Sequence, residues 1–159
     1  MAVRRSAGLL VFRTSGGRLE VLVAHMGGPY WAARDAGAWT VPKGEYAQDE
    51  TALAAARREF VEELGLPVPD GEPVPLGEAR QAGGKVVSVW AVEGDLDPAL
   101  VVPGTFTVEW PRGSGAVRTF PEVDRVEWCT PREAAERLVA GQRVFLERLV
   151  EHLRGRDAP

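Results

Sequence analysis

Apolar and polar positions at the start of the chain form two short runs on either side of a glycine turn. The runs are Ser6–Arg13 and Leu19–His25, both rich in Val and Leu, and they flank Ser15-Gly16-Gly17. Apolar runs bounded by glycines are typical of a β-hairpin. We therefore predict two buried strands, with His25 at the end of the second as a hydrogen-bonded structural residue.

The same pattern returns later in the chain. A second hairpin is predicted where Leu76–Gln81 and Val86–Val92 flank Ala82-Gly83-Gly84-Lys85. Residues 101–117 are the most loop-like region, with a loop at Pro111–Ala116. Shorter strands are predicted at Ala38–Val41, at Phe106–Trp110 and in the segment of Val123, Val126 and Trp128.

Between the two hairpins, Asp49–Leu64 carries a helical pattern. The segment is rich in alanine and has no interior Gly or Pro. Its apolar side chains fall on one stripe, formed by Leu53, Ala56, Phe60 and Leu64. Gly65 and Pro67 predict a sharply defined end, because glycine accepts the left-handed conformation that closes a helix and proline cannot continue it.

Two further helices are predicted near the C-terminus. Thr130 begins the first, with Pro131 at its first position and Glu133 completing a capping box. This helix is expected to end at about Val139, before Gly141. A terminal amphipathic helix follows over Val144–Leu153, and Arg154–Pro159 is predicted to be a frayed tail.

The order of these elements predicts an α+β fold in which helices pack on both sides of a mixed sheet. With 159 residues, no internal repeat and no long linker, the chain is predicted to be one domain spanning residues 1–159.

Charge and composition exclude several classes of function. A formal net charge of −4 argues against a general nucleic-acid-binding protein, which would normally show a basic face. Cys129 is the only cysteine, so no disulfide can form within the chain, and a buried inert thiol is expected. Met1–Arg5 lacks the apolar segment of a signal peptide, and no run approaches membrane-spanning length. A cytoplasmic location is the resulting expectation.

Three carboxylates in the central helix share one side of its surface. Glu59, Glu62 and Glu63 cluster beside the apolar stripe at about 100° per residue. Like charges at these spacings repel, so a cation should compensate them. Mg²⁺ takes carboxylate oxygens together with waters and substrate phosphates. A solvated acidic face is the alternative.

The spacing around these glutamates resembles the complete Nudix box. The matching positions are Gly44, Glu50, Arg58-Glu59, Phe60, Glu62-Glu63, Gly65 and Leu66. So many fixed positions in one short stretch are far more specific than an isolated glycine-rich motif. The resemblance implies a Nudix αβα sandwich and a loop-helix-loop that uses Mg²⁺, or alternatively Mn²⁺, to hydrolyse a diphosphate linked to another group, usually a nucleoside.

The resemblance also implies roles for individual residues. Glu59 and Glu63 look like direct metal ligands, and Gly44 would allow the backbone to approach the metal. Glu62 is either a further ligand or the group that orients the attacking water, and we favour it for the water. Glu50 and Arg58 look like scaffold partners, since an Arg can fix carboxylate rotamers by bidentate hydrogen bonds.

Four residues outside the acidic cluster are candidates for contact with the substrate. Lys43 precedes the box and should point near the phosphates, while Lys85 follows two glycines that suit either a turn or a phosphate contact. Trp31 and Arg34, with Tyr30 beside them, lie in a loop where an aromatic pair next to a cation could stack on a base. Packing of Trp31 against the central helix is the alternative.

A carboxylate late in the chain is expected to join the metal site, as is common in Nudix enzymes. Glu122 follows Pro121, which stiffens the loop at a strand entrance. Glu127 is the rival, but in an extended segment it points away from the face of Trp128. With Trp128 expected in the core, the face of Glu127 is expected to be open to solvent. We therefore predict Glu122 as the additional ligand.

The expected substrate is a small nucleotide-type molecule, either a nucleoside di- or triphosphate or a dinucleoside polyphosphate. The Lys43-Gly44 start of the box resembles the branches that act on diadenosine polyphosphates and diphosphoinositol polyphosphates. Diphosphoinositol polyphosphates, ADP-ribose and capped RNA stay open as alternatives, although the proline usual in ADP-ribose pyrophosphatases is missing between Pro75 and Pro98. A binding or sensing module of the same fold is the alternative outside enzymes, and it would be expected to lack a box carboxylate.

Overall fold

The computed structural model describes residues 3–157 and contains nine strands and three helices in that range. The strands are β1 (Arg5–Ser15), β2 (Arg18–Met26), β3 (Trp39–Thr40), β4 (Lys43–Glu45), β5 (Val74–Arg80), β6 (Val86–Glu93), β7 (Thr105–Glu109), β8 (Val117–Pro121) and β9 (Val123–Cys129). The helices are α1 (Ala52–Leu64), α2 (Pro131–Arg137) and α3 (Arg143–Asp157). Within the described range, none of the helices is both apolar enough and long enough to cross a bilayer.

The main sheet is built around β1, whose two halves have different neighbours. Its first residues pair antiparallel with β4, and its last residues pair antiparallel with β2 in the predicted hairpin. Along its other edge β1 runs parallel to β6. The sheet continues through β5 beyond β6, and through β3 and β9 beside β2. A strand buried on both faces reads as a nearly continuous apolar run, which is the pattern of Ala7–Phe12.

Two hydrophobic cores lie on opposite faces of this sheet. One contains Phe60 and Leu64 of α1, packed on Leu9 and Val11 of β1. The other contains Phe145 and Leu149 of α3, packed on the opposite face of the sheet. This arrangement confirms the predicted α+β architecture, with helices on both sides of a mixed sheet.

Helix α1 begins three residues later than its periodicity predicts. Thr51 has an extended backbone, and its side chain accepts a hydrogen bond from the Ala54 amide at 3.3 Å. A hydroxyl acceptor satisfies one of the unpaired amides at a helix start, so the helix starts at the cap rather than at Asp49. The predicted end is confirmed, since Gly65 has φ 65° and its amide bonds to the Val61 carbonyl.

Part of the region predicted to be a loop is a two-stranded ribbon. The strand predicted at Phe106–Trp110 is present as β7, but it pairs with β8, which the sequence did not reveal. The side chains of Val117, Arg118 and Thr119 are exposed. Because neither face of β8 is covered at these positions, the apolar alternation that identifies a half-buried strand is missing.

Both predicted C-terminal helices are confirmed, but the frayed tail predicted after the second is wrong. The Thr130–Glu133 capping box is present at the start of α2. Helix α3, however, includes residues 154–157 of the predicted frayed tail, while residues 158 and 159 lie outside the described range. Arg154 and Arg156 occupy the last turn, where positive charge interacts favourably with the helix dipole. Arg156 also lies 3.7 Å from a carboxylate oxygen of Glu93.

Candidate functional site

A cavity lies where β4, β6 and α1 meet over the beginning of β1. The pairing of Gly8 with Lys43 and of Arg5 with Val86 brings the start of the box and the turn before β6 to either side of β1. The cavity has a volume of about 430 Å³. It is lined by Ser6, Lys43, Gly44, Glu45, Glu59, Glu63, Lys85, Phe106 and Glu122.

Arg58 connects the carboxylates of α1 to the loop that precedes the helix. Its Nε and Nη2 atoms donate to the two carboxylate oxygens of Glu50, each at 2.8 Å. Its Nη1 atom donates to Glu59 at 2.8 Å and to Glu62 at 3.2 Å. Hydrogen bonds from the guanidinium lower the pKa of Glu50, and those to Glu50 and Glu59 raise the pKa of Arg58. The scaffold geometry predicted for Glu50 and Arg58 is therefore present.

Glu59 lies in space that only a glycine at position 44 leaves free. A Cβ atom at residue 44 would collide with the Glu59 carboxylate. The missing side chain thus allows the carboxylate to contact the β4 backbone, which brings the Gly44 peptide and the Glu59 oxygens into one corner of the cavity. From the sequence, Gly44 was expected to let the backbone approach a metal closely. In the structure it also lets the backbone approach the Glu59 carboxylate.

Glu63 is half-buried and faces β4. Its carboxylate accepts a hydrogen bond from the Lys43 amide at 3.2 Å. Burial, reinforced by the nearby charges of Glu122 and Glu59, raises its pKa to about 8 in spite of the opposing effect of Lys43. A carboxyl group in this position is stabilised in its ionised form only when more positive charge is brought close to it.

Glu122 occupies the wall of the cavity that faces α1. Its carbonyl accepts from the Gly27 amide at 2.9 Å, and its own amide donates to the Gly104 carbonyl at 2.8 Å. Burial and then the charges of Glu59 and Glu62 raise the pKa of its side chain. The loop before β9 is therefore fixed on both sides, and it directs a fourth carboxylate towards the acidic face of α1.

Glu127 lies on the other face of the sheet, as the alternation of β9 predicts. It forms ion pairs with Arg137 at 3.2 Å and with Arg125 at 3.5 Å. The expectation that this face is open to solvent is wrong, because Arg137 of α2 lies over it. Trp128 is only partly buried, with the guanidinium of Arg13 4.0 Å from the centre of its ring.

The only two lysines of the chain both line this cavity. Every other one of the 19 basic residues is an arginine. Burial, and next to it the positive charge of Lys85, lower the pKa of Lys43, while Glu63 opposes this shift. The cavity thus brings two flexible ammonium groups and an acidic helix face together. That Lys43 and Lys85 contact phosphate stays a prediction.

Glu62, Trp31 and Arg34 are outside the cavity wall. Glu62 is exposed and bonds to Arg58, on the acidic face but not among the lining side chains. Trp31 packs against the core of α2 and α3, so the alternative of packing against α1 is wrong. The guanidinium of Arg34 lies 5.5 Å from the Trp31 ring, and its carbonyl bonds to His25. The β2–β3 loop is anchored by Trp31, which explains why its apolar ring does not reach the site.

His25 has the structural role that was predicted for it. Its side chain is buried, with Nδ1 2.8 Å from Asp124 and Nε2 2.7 Å from the Arg34 carbonyl. Both partners are acceptors of hydrogen bonds. The ring therefore connects the β2–β3 loop with the start of β9 and occupies no position in the cavity.

Three lining residues were not predicted from the sequence. Phe106 comes from the ribbon, whose second strand is hidden in the sequence, and Glu45 lies in the gap between the fixed positions of the box. Ser6 is buried, and its hydroxyl has no hydrogen-bond partner among residues 3–157. The one signal in the sequence that could have identified Ser6 as a lining residue is that it is a polar residue at the start of an otherwise apolar strand.

The donor set of this cavity fits a divalent cation in its chemistry. Carboxylates whose pKa values are raised by burial and by one another are stabilised by positive charge, and the unpartnered Ser6 hydroxyl suits a further oxygen ligand or substrate atom. In the conformation described for residues 3–157, however, no three His, Cys, Asp or Glu side chains stand close enough together to hold one ion. A shared ion therefore requires the carboxylates around this cavity to move closer together.

Comparison with known families and structures agrees with the fold and the motif. The family model described as the NUDIX domain matches residues 2–149. A search of curated proteins gave no significant match. Among solved structures, a C. elegans Ap4A hydrolase in a binary complex is similar, with 22% identity, a TM-score of 0.62 and coverage of 96% of this chain and 99% of that one.

Two other solved structures share the fold. The NUDIX domain of Shewanella oneidensis NrtR, complexed with ADP ribose, has 16% identity and a TM-score of 0.64, with coverage of 96% of this chain and 90% of that one. A Nudix hydrolase from M. smegmatis, RenU, has 24% identity and a TM-score of 0.61, with coverage of 97% and 88%. At these identities the likeness concerns the arrangement of helices and strands.

Proposed function

The chain belongs to the Nudix family of pyrophosphohydrolases, and we propose that it hydrolyses a diphosphate linkage in a nucleoside triphosphate or a dinucleoside polyphosphate. The observation that carries this proposal is the composition of one cavity, which Glu59, Glu63 and Glu122 line together with Lys43 and Lys85. A diphosphate needs cationic partners for its oxygens, and its hydrolysis needs a carboxylate-held cation beside them.

The cation would be held by Glu59, Glu63 and Glu122, with the Gly44 carbonyl as a further oxygen ligand. Mg²⁺ is the proposed ion and Mn²⁺ the alternative, since both suit oxygen donors. When bound, such an ion polarises the phosphorus and lowers the pKa of water at the site. The raised pKa of Glu63 means that ion binding would release a proton from this side chain near neutral pH.

The remaining steps depend on side chains of the chain itself. Lys43 and Lys85 would bind the non-bridging phosphate oxygens and neutralise the charge that builds up on the departing phosphate. Arg58 would keep Glu59 and Glu62 in position through its bonds to Glu50. The Ser6 hydroxyl would donate to a phosphate oxygen deep in the cavity.

Glu62 is proposed as the residue that orients the attacking water. Its exposure lets water reach it, and its bond to Arg58 fixes the direction of its carboxylate. Glu122, which has a raised pKa and lines the cavity, is the rival acceptor for the water proton. The pH dependence of kcat, measured for variants of Glu62 and of Glu122, distinguishes the two residues. Loss of the residue that accepts the proton removes the ascending limb of the profile.

Several features support a nucleotide as the substrate. The Lys43-Gly44 start of the box resembles the branches acting on diadenosine polyphosphates and on diphosphoinositol polyphosphates, and a similar solved structure is an Ap4A hydrolase. The missing proline between Pro75 and Pro98 argues against ADP-ribose. Diphosphoinositol polyphosphates and capped RNA are the remaining competitors.

A substrate panel with product identification tests the proposal. Nucleoside triphosphates, diadenosine polyphosphates, ADP-ribose, diphosphoinositol polyphosphates and capped RNA are each incubated with and without Mg²⁺, and the products are identified by mass spectrometry. We expect metal-dependent cleavage of a phosphoanhydride bond in nucleotides, with Glu63→Gln as the inactive control. Tight nucleotide binding without cleavage would instead establish a sensing module.

A further inference from the structure

An aromatic surface extends from the cavity along the β7–β8 ribbon. Phe106 lines the cavity and pairs across the ribbon with Phe120, their ring centres 6.2 Å apart. Trp110 lies four residues after Phe106, on the same side of the strand by alternation. It contacts the Tyr30 ring edge-on at 5.3 Å. The surface therefore begins beside the phosphate-binding residues and ends at Tyr30.

Gly28 brings the β2–β3 loop onto this surface. Its backbone has φ +95°, and a Cβ atom there would lie 2.7 Å from the Phe106 ring. Tyr30 follows two residues later, so it lies within about 7 Å of Gly28 along the chain. Glycine thus permits a contact that brings the loop carrying Tyr30 onto the Phe106 ring, which lines the cavity.

The same loop is anchored on either side of Tyr30 but leaves the Tyr30 ring exposed. Its neighbour Trp31 packs against the core of α2 and α3, and the Arg34 carbonyl is bonded to His25. Tyr30 itself remains 44% exposed. An exposed aromatic ring on an anchored backbone can bind a flat partner at a small cost in conformational entropy.

The charge around this ring favours a nucleotide as the partner. The guanidinium of Arg112 lies 5.6 Å from the centre of the Tyr30 ring. Arg118 pairs with Val108, which places it on the same face of the ribbon as Phe106 and Trp110. A planar, electron-rich base carrying phosphates matches both the aromatic and the cationic elements. An inositol ring has no π face for such a contact.

We propose that Tyr30 and Trp110 form a base-stacking subsite, which selects nucleotides among phosphoanhydride substrates by binding the nucleobase while the phosphates lie in the cavity. This inference rests on the proposed function for the position of the phosphates. It goes beyond that proposal by assigning the recognition of the base to residues of the β2–β3 loop and the ribbon.

The test uses ligands that the enzyme cannot cleave. Nucleoside 5′-monophosphates contain no anhydride bond, and ribose 5-phosphate is the same molecule without the base. Binding of both is measured by calorimetry in the presence of Mg²⁺, for the unmodified protein and for Tyr30→Leu, Trp110→Leu and Tyr30→Phe. Because no turnover is involved, this result is independent of whether the protein proves to be a hydrolase.

The monophosphate should bind about tenfold more tightly than ribose 5-phosphate to the unmodified protein, with purines ahead of pyrimidines, as base stacking on aromatic side chains predicts. Tyr30→Leu and Trp110→Leu should remove this advantage without changing the affinity for ribose 5-phosphate. Tyr30→Phe should keep it, because the ring is retained.

Val117→Ser serves as the control on the opposite face of the ribbon, where Val117 pairs with Glu109 and is exposed. It should leave both affinities unchanged. Equal binding of the two ligands by the unmodified protein would overturn the inference, and so would an advantage that survives both leucine variants. A variant that weakens both ligands alike would show that Tyr30 and Trp110 only hold the ribbon in place.

Discussion

Arg58 binds Glu50 through two parallel hydrogen bonds, from Nε and Nη2 to the two carboxylate oxygens, each 2.8 Å long. The third nitrogen, Nη1, is thereby directed at Glu59 and Glu62. Glu50, in the loop before α1, thus orients the Arg58 guanidinium. The guanidinium in turn holds the carboxylates of Glu59 and Glu62, which lie one and four positions after Arg58 in the helix.

Arg58→Lys should lower kcat by about 10- to 100-fold, the usual cost of losing a group that orients metal ligands. Lysine keeps the charge but cannot form the planar fork that bonds Glu50 on one side and Glu59 on the other. Steady-state kinetics on the best substrate measure the loss. Arg57→Lys, at an exposed position one residue earlier, is the control, and equal kinetics of the two variants would contradict the scaffold role.

Glu63→Gln should lower kcat by more than about 100-fold, since even outer-shell partners of metal ligands contribute about 10- to 100-fold. The substitution keeps the size of the side chain and removes a charge that the ion needs. Circular dichroism should show an intact fold. Near-normal turnover at saturating Mg²⁺ would refute the ligand assignment.

The pH dependence of stability offers a second measurement at Glu63. Its pKa is raised from 4.5 to about 8 in the folded protein, mainly by burial. The folded state therefore retains a proton that the unfolded chain releases, and the stability that this provides is full below pH 4.5 and is lost as the pH rises through about 8. In a chelator, the melting temperature should fall over this window, and Glu63→Gln should flatten the fall. An identical slope in both proteins would contradict the shift.

The acidic helix could be predicted from the sequence because its information is local. The box positions lie within one helix and its two ends, so Glu59 and Glu63 reach the cavity through helical periodicity alone. The contact of Glu59 with Gly44 is also local in sequence, because only a short connection separates β4 from α1. The expectation of a carboxylate late in the chain came from the Nudix resemblance, and the alternation of a single strand favoured Glu122 over Glu127.

The substrate side of the cavity could not be predicted in the same way. Phe106 reaches it through pairing with β8, whose exposed side chains carry no apolar alternation. Trp31 and Arg34 were expected near the substrate, but the β2–β3 loop turns Trp31 into the opposite core and leaves Tyr30 outside. Which of two adjacent aromatic residues is buried depends on tertiary packing, which a loop sequence does not encode by itself.

Divalent ions should raise the melting temperature. At an Mg²⁺ concentration 100 times the dissociation constant, binding to the folded state contributes about 2.7 kcal/mol. This corresponds to about 5–10 °C for a chain of this size. Thermal unfolding is followed with Mg²⁺ and with a chelator, and Glu59→Gln should reduce the difference. A melting curve that does not respond to the chelator would count against a metal site at these carboxylates.

Lys43→Ala should raise KM or lower kcat by about tenfold or more, the usual contribution of a charged hydrogen bond. The shift of melting temperature by Mg²⁺ should remain, because the proposed ligands are unchanged. Unchanged kinetics would make Lys43 a surface cation without a function in the reaction.

Chemical labelling provides an independent check on the two lysines. Lys43 and Lys85 are the only side-chain amines in the protein. The lowered pKa of Lys43 leaves more of its amine neutral and nucleophilic. Limited acylation at neutral pH, followed by mass spectrometry, should modify Lys43 in parallel with the loss of activity, and bound nucleotide should protect it. Full activity after acylation of both lysines would exclude them from phosphate binding.

Glu122→Gln should reduce the metal-dependent rate clearly, by at least about tenfold, whereas Glu127→Gln should not. Both residues belong to the same short segment and both lie near arginines or carboxylates, so local charge does not separate them. Their positions on the two faces of the sheet do distinguish them, because Glu122 lines the cavity and Glu127 is paired with Arg137 on the opposite face. Rates measured over a range of Mg²⁺ concentrations distinguish the two variants, since loss of a ligand raises the concentration of metal needed for half-maximal activity. If Glu127→Gln shows this increase and Glu122→Gln does not, the assignment of the fourth carboxylate is reversed.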